Sequence, residues 1–270
     1  MKNFLTMEIY GESLIDESRA EKMILALSQF GDHWFMPERY DVKEPVAEVF
    51  DLAAVQAAVK WLAQPGGEFK FLRTKPFRVE GYIRDRRYRP IWTVDEGGKR
   101  IPVVRKFPEP HFKTQWVVWM AKEVIKIIGV EATVDFFKAM FTAAQAEYGF
   151  LTTESDHKSK NFVTVMTETG SISKFVGTEP DHGIPGLYWC NIFGKKYVRW
   201  MGNQILKAPA DTMLLDNGAV MVRFSESPEG CETPEALQGQ DRTMELIGRE
   251  KFFDIKNPSS QQMTSIFGIQ

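Results

Sequence analysis

The chain has 270 residues, of which 43% are hydrophobic and 26% are charged, as in an ordinary soluble globular protein. Its formal net charge is −2, which argues against a surface built entirely for nucleic acid or an anionic membrane. Two cysteines are too few for a disulfide framework or a four-thiolate zinc site. Because no apolar run of about 18 residues occurs and Met1–Tyr10 lacks the features of a signal peptide, we expect a cytoplasmic protein with no membrane partner.

The amino-terminal part of the chain alternates strand and helix patterns. Residues 4–10 alternate loosely and predict a first strand. An apolar stripe over residues 14–27 predicts a helix that Ser13 or Asp16 caps. A second helix is expected from Asp51 until Pro65-Gly66-Gly67, which ends it.

The central part of the chain begins with strand formers and then changes to helical spacing. Residues 68–107 predict an antiparallel sheet segment, with Gly97-Gly98 as its hairpin turn. Apolar spacing over residues 116–128 predicts a helix, and a second helix is expected over about 130–148. A weaker pattern follows, in which residues 162–166 are a candidate strand.

The carboxyl-terminal part has sharper signals. Residues 187–193 predict a strand, and residues 195–205 predict a helix. Asp216-Asn217-Gly218 is typical of a tight hairpin turn, and Thr233-Pro234 begins a helix that runs to about Ile247.

These elements are intermixed without a regular βαβ rhythm. The sequence therefore predicts an α+β fold, an antiparallel sheet with hairpins packed against several helices. We expect a single domain over residues 1–270, with a loose carboxyl-terminal tail from about residue 257.

Motifs that carry chemistry are scarce. No glycine-rich phosphate loop and no nucleophile elbow occur in the sequence. The histidines His33, His111, His157 and His182 do not stand at metal-ligand spacing, so we expect no metal and no cofactor. Cys190 lies within an apolar strand with no basic neighbour, which predicts a buried, inert thiol.

Two Asp-His pairs are the candidates for catalysis. A carboxylate can orient an imidazole, and Asp156-His157 and Asp181-His182 place these groups side by side in sequence. Neighbouring side chains usually point in different directions, however, and both pairs lie in polar stretches. We therefore expect solvated loops and no enzyme, and keep an enzyme site assembled from these residues as an alternative.

The strongest charge signal is Arg73–Lys106, which has eleven basic and four acidic residues, or +7, and so leaves −9 for the rest of the chain. Aromatic and basic side chains interleave in its candidate binding set, namely Tyr82, Arg84, Arg86, Arg87, Tyr88, Arg89 and Trp92. Three interpretations remain open: a solvated hairpin, a surface for an acidic protein partner, and a nucleic-acid-binding module. Of the two binding interpretations, nucleic acid is the less favoured.

Residues 185–202 include the string Pro-Gly-Leu-Tyr-Trp-Cys-Asn-Ile-Phe-Gly and resemble a segment of bacterial immunity proteins, the cognate inhibitors of polymorphic and type VI secretion toxins. The resemblance continues through residues 216–218 and 248–254, and residues 10–13 also fit. Members of such families share no catalytic residues, so the resemblance implies a protein that acts by covering a toxin's site. The string itself is a scaffold strand, in which Trp189 and Phe193 should be core residues.

Together these observations predict an immunity protein that neutralises a cognate bacterial toxin or effector in the cytoplasm by stoichiometric binding. The basic segment is its expected binding surface. A competing surface is the acidic region, in particular Glu226, Glu229, Glu232 and Glu235. The identity of the toxin and the oligomeric state are left open.

Overall fold

The computed structural model describes residues 4–41, 48–94, 100–106, 110–167, 170–177, 180 and 183–255. Its strands are, in chain order, β1 (Phe4–Gly11), β2 (Arg39–Asp41), β3 (Glu48–Val49), β4 (Glu68–Arg73), β5 (Val79–Asp85), β6 (Tyr88–Val94), β7 (Arg100–Lys106), β8 (Thr114–Ala121), β9 (Tyr148–Thr153), β10 (Phe162–Thr167), β11 (Gly170–Phe175), β12 (Cys190–Phe193), β13 (Asp211–Leu214) and β14 (Val220–Arg223). Its α-helices are α1 (Glu17–Gln29), α2 (Leu52–Leu62), α3 (Glu123–Ile128), α4 (Val130–Ala143), α5 (Glu154–Asn161), α6 (Lys195–Trp200) and α7 (Pro234–Ile247).

Ten of these strands form one antiparallel sheet in the order β13-β14-β12-β9-β1-β8-β5-β4-β2-β3. The other strands form two separate hairpins, β6 with β7 and β10 with β11. The predicted α+β class, an antiparallel sheet with hairpins packed against helices, is confirmed. The basic segment is divided between the two kinds of sheet, because β5 lies inside the large sheet and β6–β7 lies outside it.

Side-chain caps fix the starts of three helices where the sequence places them. The carboxylate of Asp16 accepts a hydrogen bond from the backbone N–H of Arg19, and Asp51 does the same for Ala54. The Thr233 hydroxyl accepts from the backbone N–H of Ala236, two residues after the proline that begins α7. Each such cap stabilises a helix by about 1 kcal/mol.

The helix predicted over residues 116–128 is wrong for most of its length. Thr114–Ala121 is the strand β8, paired with β1 on one side and β5 on the other, and only Glu123–Ile128 is helical. The segment is apolar on both faces because Trp116 and Val117 are both buried. A strand that is buried on both faces loses the alternation that identifies it in sequence.

Two further helix boundaries differ from the prediction. The helix predicted over about 130–148 is α4, which ends at Ala143, and the residues that follow lead into β9 at Tyr148. The helix predicted over 195–205 ends at Trp200 and continues as a separate 3-10 turn over Gln204–Lys207. In both places a buried residue, Tyr148 in β9 and Ile205 in the 3-10 turn, packs in the core from outside the helix, which the helical spacing alone does not distinguish.

The first face of the large sheet packs against α1, α2 and α4. In β1, Leu5, Met7 and Ile9 point to this face and are fully buried. The same core holds Trp189, which is fully buried as predicted. This layer anchors the sheet and leaves the intervening side chains to the second face.

The second face is covered only in part. Over β9, β12 and β14 it carries a second core to which α6 and α7 contribute, and this core includes Phe193, fully buried as predicted. Further along the sheet, over β1, β8 and β5, the same face forms the floor of a cleft. The fold thus places one layer of polar and aromatic side chains next to a packed core.

Three of the predicted features lie outside the described residues: the loose tail from about residue 257, the Gly97-Gly98 turn and the pair Asp181-His182. Among the helices that the structure describes, none has the length and apolar character needed to cross a membrane.

Candidate functional site

The cleft on the second sheet face has a volume of about 690 Å³. Its floor consists of three rows of side chains across β1, β8 and β5, set by the antiparallel register. The rows are Thr6–Trp119–Glu80, Glu8–Val117–Tyr82 and Tyr10–Gln115–Arg84. Alternation along each strand places these residues opposite the core residues of the first face.

A buried carboxylate, that of Glu8, lies at the base of the cleft and is only 8% exposed. Its Oε2 accepts hydrogen bonds from the Tyr10 hydroxyl at 2.5 Å and from Gln115 Nε2 at 3.3 Å. Burial raises the pKa of Glu8 against the opposing effect of these hydrogen bonds and of Arg84 and Arg86. The network therefore fixes the carboxyl group in place within the sheet.

Arg84 extends from β5 along this network. Its Nε and Nη2 donate hydrogen bonds to Gln115 Oε1 at 3.0 and 2.6 Å, and its guanidinium lies 4.7 Å from the centre of the Tyr82 ring. Gln115 in turn donates to the Tyr10 hydroxyl at 3.1 Å. Burial raises the pKa of Tyr82 to about 12, so this ring carries a neutral phenol at neutral pH.

The walls of the cleft come from α5 and from the β10–β11 hairpin. Phe162 and Phe175 face each other at the base of the hairpin, with ring centres 5.1 Å apart. They are 37% and 43% exposed, and Trp119 on the floor of the cleft is 36% exposed. Large aromatic side chains that are left this accessible around a cleft are typical of a binding surface.

His157 lies within this wall, contrary to the prediction of a solvated loop. It is 6% exposed on α5 and stacks on Phe175 with ring centres 4.9 Å apart. Burial lowers the pKa of His157 to about 4, and its Nε2 is buried without a hydrogen-bond partner. The polar composition of α5 hid this packing, because its buried residues Asp156, His157 and Asn161 are themselves polar.

Asp156 does not orient the neighbouring imidazole. Its carboxylate accepts hydrogen bonds from the Thr152 hydroxyl and from Lys160 Nζ, both at 2.5 Å. Asp156 is fully buried, and it holds α5 on β9. The Asp156-His157 arrangement needed for the alternative enzyme interpretation is therefore not formed by these two side chains, and the prediction that the chain is not an enzyme stays a prediction.

The predicted binding set is spread over several environments. Tyr82 and Arg84 line the cleft. Arg86 is only 2% exposed and donates to the backbone carbonyl of Phe112, so the expected accessible arginine is in fact a core residue. Arg87 is ion-paired with Asp85 at 2.6 Å.

Tyr88 is half-buried, with the guanidinium of Arg87 5.3 Å from its ring centre. Arg89 and Trp92 belong to β6, and their side chains lie outside what the structure describes. The structure thus brings two of the seven residues into one cavity, and the binding role of the set stays a prediction.

The competing acidic side chains are all exposed. They lie around the 3-10 turn Pro228–Glu232 and at the start of α7, and they are Glu226, Glu229, Glu232 and Glu235.

Both cysteines are buried as free thiols, and burial raises the pKa of Cys190 to about 12. A thiol with this pKa is not a nucleophile at neutral pH.

A larger hollow of about 880 Å³ lies elsewhere, where Lys22, Lys138 and Lys195 surround short side chains such as Ala139 and Ala219. It contains none of the candidate binding or catalytic residues that the sequence indicates, and its lining has no aromatic ring. Within the described ranges, no three His, Cys, Asp or Glu residues are grouped closely enough to hold a metal ion.

Glu8, Gln115 and Trp119 are cleft residues that the sequence did not indicate. Glu8 interrupts the apolar alternation of the first strand, which is the one signal that could have identified it. Gln115 and Trp119 were hidden because their strand was predicted as a helix.

Comparisons with known proteins support the fold. No family model matches the sequence, and no curated protein sequence matches it either. A Pseudomonas aeruginosa type VI secretion system (T6SS) protein has a similar structure, with a TM-score of 0.58 and 9% identity. The match covers 93% of this chain and 74% of that one. At this level of identity the likeness shows the fold alone.

Proposed function

We propose that this chain is a T6SS-associated immunity protein that neutralises a bacterial effector by stoichiometric binding in the cytoplasm. The observation that carries the proposal is the structural likeness to a T6SS protein over 93% of the chain. The resemblance of residues 185–202 to immunity proteins supports it independently, since it rests on sequence. The likeness does not identify an effector.

The cleft is the surface we assign to effector binding. It carries accessible Trp119, Phe162 and Phe175, and its floor is held rigid by the hydrogen bonds around Glu8. Exposed aromatic rings on a rigid base supply contact area at low entropic cost, because little further ordering is needed on binding. These features support a binding surface, and Trp119 is its expected anchor.

The proposal is tested by co-expression with the protein encoded by the adjacent gene. Expression of that protein alone should arrest growth, co-expression with this chain should restore it, and both chains should co-elute as one complex from a sizing column. Trp119→Ala should weaken binding by about 30-fold, as expected for a loss of about 2 kcal/mol at an interface anchor. Unfolding by urea should show little change, since Trp119 is partly exposed.

Leu214→Ala is the matched control for that variant. Leu214 is an apolar residue that is 64% exposed on the edge strand β13, away from the cleft lining. Its substitution should leave binding within about twofold of wild type. Absence of growth rescue and of a complex would refute the proposed function, and equal effects of the two substitutions would move the interface away from the cleft.

A further inference from the structure

We infer that the cleft receives an acidic side chain, an Asp or Glu carboxylate, from an extended segment of its protein partner, and that Arg84 binds it. The inference rests on the proposed function, because it assumes that the cleft binds a protein. It goes further by stating the chemistry of the group that enters. The argument depends on which charges in the cleft are already balanced.

Two of the three carboxylates that line the cleft have a positive partner, and the third, Glu8, has neutral hydrogen-bond donors. Glu80 is ion-paired with Arg78 at 2.6 Å, and Glu154 is ion-paired with Lys158 at 2.5 Å. Glu8 accepts two hydrogen bonds through one oxygen and is almost completely covered. Glu80 and Glu154 are therefore already paired, and little of Glu8 is accessible to an incoming cation.

Arg84 is the cation of the cleft lining that has no ion pair with a described residue. Among the described residues its guanidinium makes hydrogen bonds only to the neutral amide of Gln115, and no carboxylate lies within ion-pair distance. Arg86 is buried next to the same network, where its guanidinium lies 5.3 Å from the Tyr10 ring.

The geometry of Arg84 suits a carboxylate. Nε and Nη2 donate to Gln115 and the guanidinium lies over the Tyr82 ring, so Nη1 is the nitrogen of this preorganised group that Gln115 does not engage. A guanidinium that is already held in place loses less entropy when it binds a carboxylate than a free side chain does. Trp119 on the floor and Phe175 on the wall would contact the apolar atoms of the acidic residue.

A nucleic acid fits this cleft less well. Binding of a phosphate backbone requires several cations along its path. Among the described residues the cations that line the cleft are Arg84 and Lys158, and Lys158 is already ion-paired with Glu154. One incoming carboxylate matches the one lining cation that has no ion pair.

The test is a selection of random peptides displayed on phage against the full-length wild-type chain at low salt. We expect the selected peptides to share an Asp or Glu next to an aromatic or aliphatic residue. Binding of a labelled selected peptide, followed by fluorescence anisotropy, should fall at least about tenfold for Arg84→Glu, the loss of one charge-assisted contact. Arg84→Lys should retain part of the affinity because the charge remains.

Arg242→Glu is the matched control, since it makes the same charge change at an exposed position of α7 outside the cleft lining, and it should bind within about twofold of wild type. If Arg84→Glu does not fold by circular dichroism, Lys158→Glu reverses a charge at the exposed rim and should weaken binding several-fold.

Several results would overturn the inference: no selected peptides, peptides without a shared acidic residue, peptide affinity unchanged by these cleft substitutions, or displacement of the peptide by a single-stranded DNA oligonucleotide. Because the selection uses no effector, its failure is distinguishable from failure of the co-expression test.

Discussion

Acidification should destabilise this protein through His157, and the size of the effect follows from its burial. The imidazole is 6% exposed between the rings of Phe150 and Phe175, and burial lowers its pKa from 6.5 to about 4. A proton therefore binds the unfolded chain more readily than the folded one. The contribution of His157 to the free energy of unfolding should be fully present above about pH 6.5 and should be lost as the pH falls towards 4.

The expected magnitude comes from this difference in pKa. One pKa unit corresponds to about 1.4 kcal/mol, so the full loss is about 3 kcal/mol. At pH 5 the unfolded chain carries the proton and the folded protein does not, which gives a loss of about 2 kcal/mol relative to pH 7. Other groups contribute to the pH profile as well, so a comparison with a variant is needed to isolate the histidine.

The assay is urea unfolding followed by tryptophan fluorescence at pH 7 and pH 5, for wild type and His157→Phe. The phenyl ring keeps the aromatic packing and does not titrate, so the variant should lose about 2 kcal/mol less than wild type between the two pH values. His33→Asn, which removes a histidine from an exposed turn, should follow the wild-type profile. Equal pH dependence of wild type and His157→Phe would show that the imidazole is not buried and neutral as described.

Two further predictions concern Cys190 at the start of β12 and Trp189 directly before it. Trp189→Ala should lower the free energy of unfolding by about 3–5 kcal/mol, because it removes a fully buried ring and the hydrogen bond that Nε1 donates to the Ser225 carbonyl; an unchanged urea midpoint would contradict this. Cys190 should resist alkylation by iodoacetamide in the native protein and react once the chain is unfolded in urea, because the folded thiol is buried with a pKa of about 12; mass spectrometry that finds this residue modified at the same rate in both states would refute its burial.

The sequence predicted most elements whose signals are local. The caps Asp16, Asp51 and Thr233 and the hairpin turn at Asp216-Asn217-Gly218 depend on a few neighbouring residues, and the structure confirms each of them. The strand β8 was missed because it lies inside the sheet between β1 and β5, with Trp116 and Val117 buried on opposite faces. Those neighbours are distant in sequence, and no local pattern reports them.

The candidate site was predicted in part for the same reason. Charge patterning identified Tyr82 and Arg84, and it gave the same weight to Arg86, which is a core residue. Charge alone does not distinguish an exposed arginine from one whose neighbours across the sheet cover it. His157 was placed in solvent, although β9 and the β10–β11 hairpin enclose it from either side.

The central claim is that the partner binds in the cleft, and hydrogen–deuterium exchange of the complex tests it most directly. Backbone amides should exchange more slowly in the complex than in the free chain at β10, β11 and the first turn of α5, which form the cleft walls. The edge strand β13 and the exposed acidic segment Glu226–Glu235 should exchange at the same rate in both states. Protection confined to that acidic segment, with the cleft walls unchanged, would contradict the account.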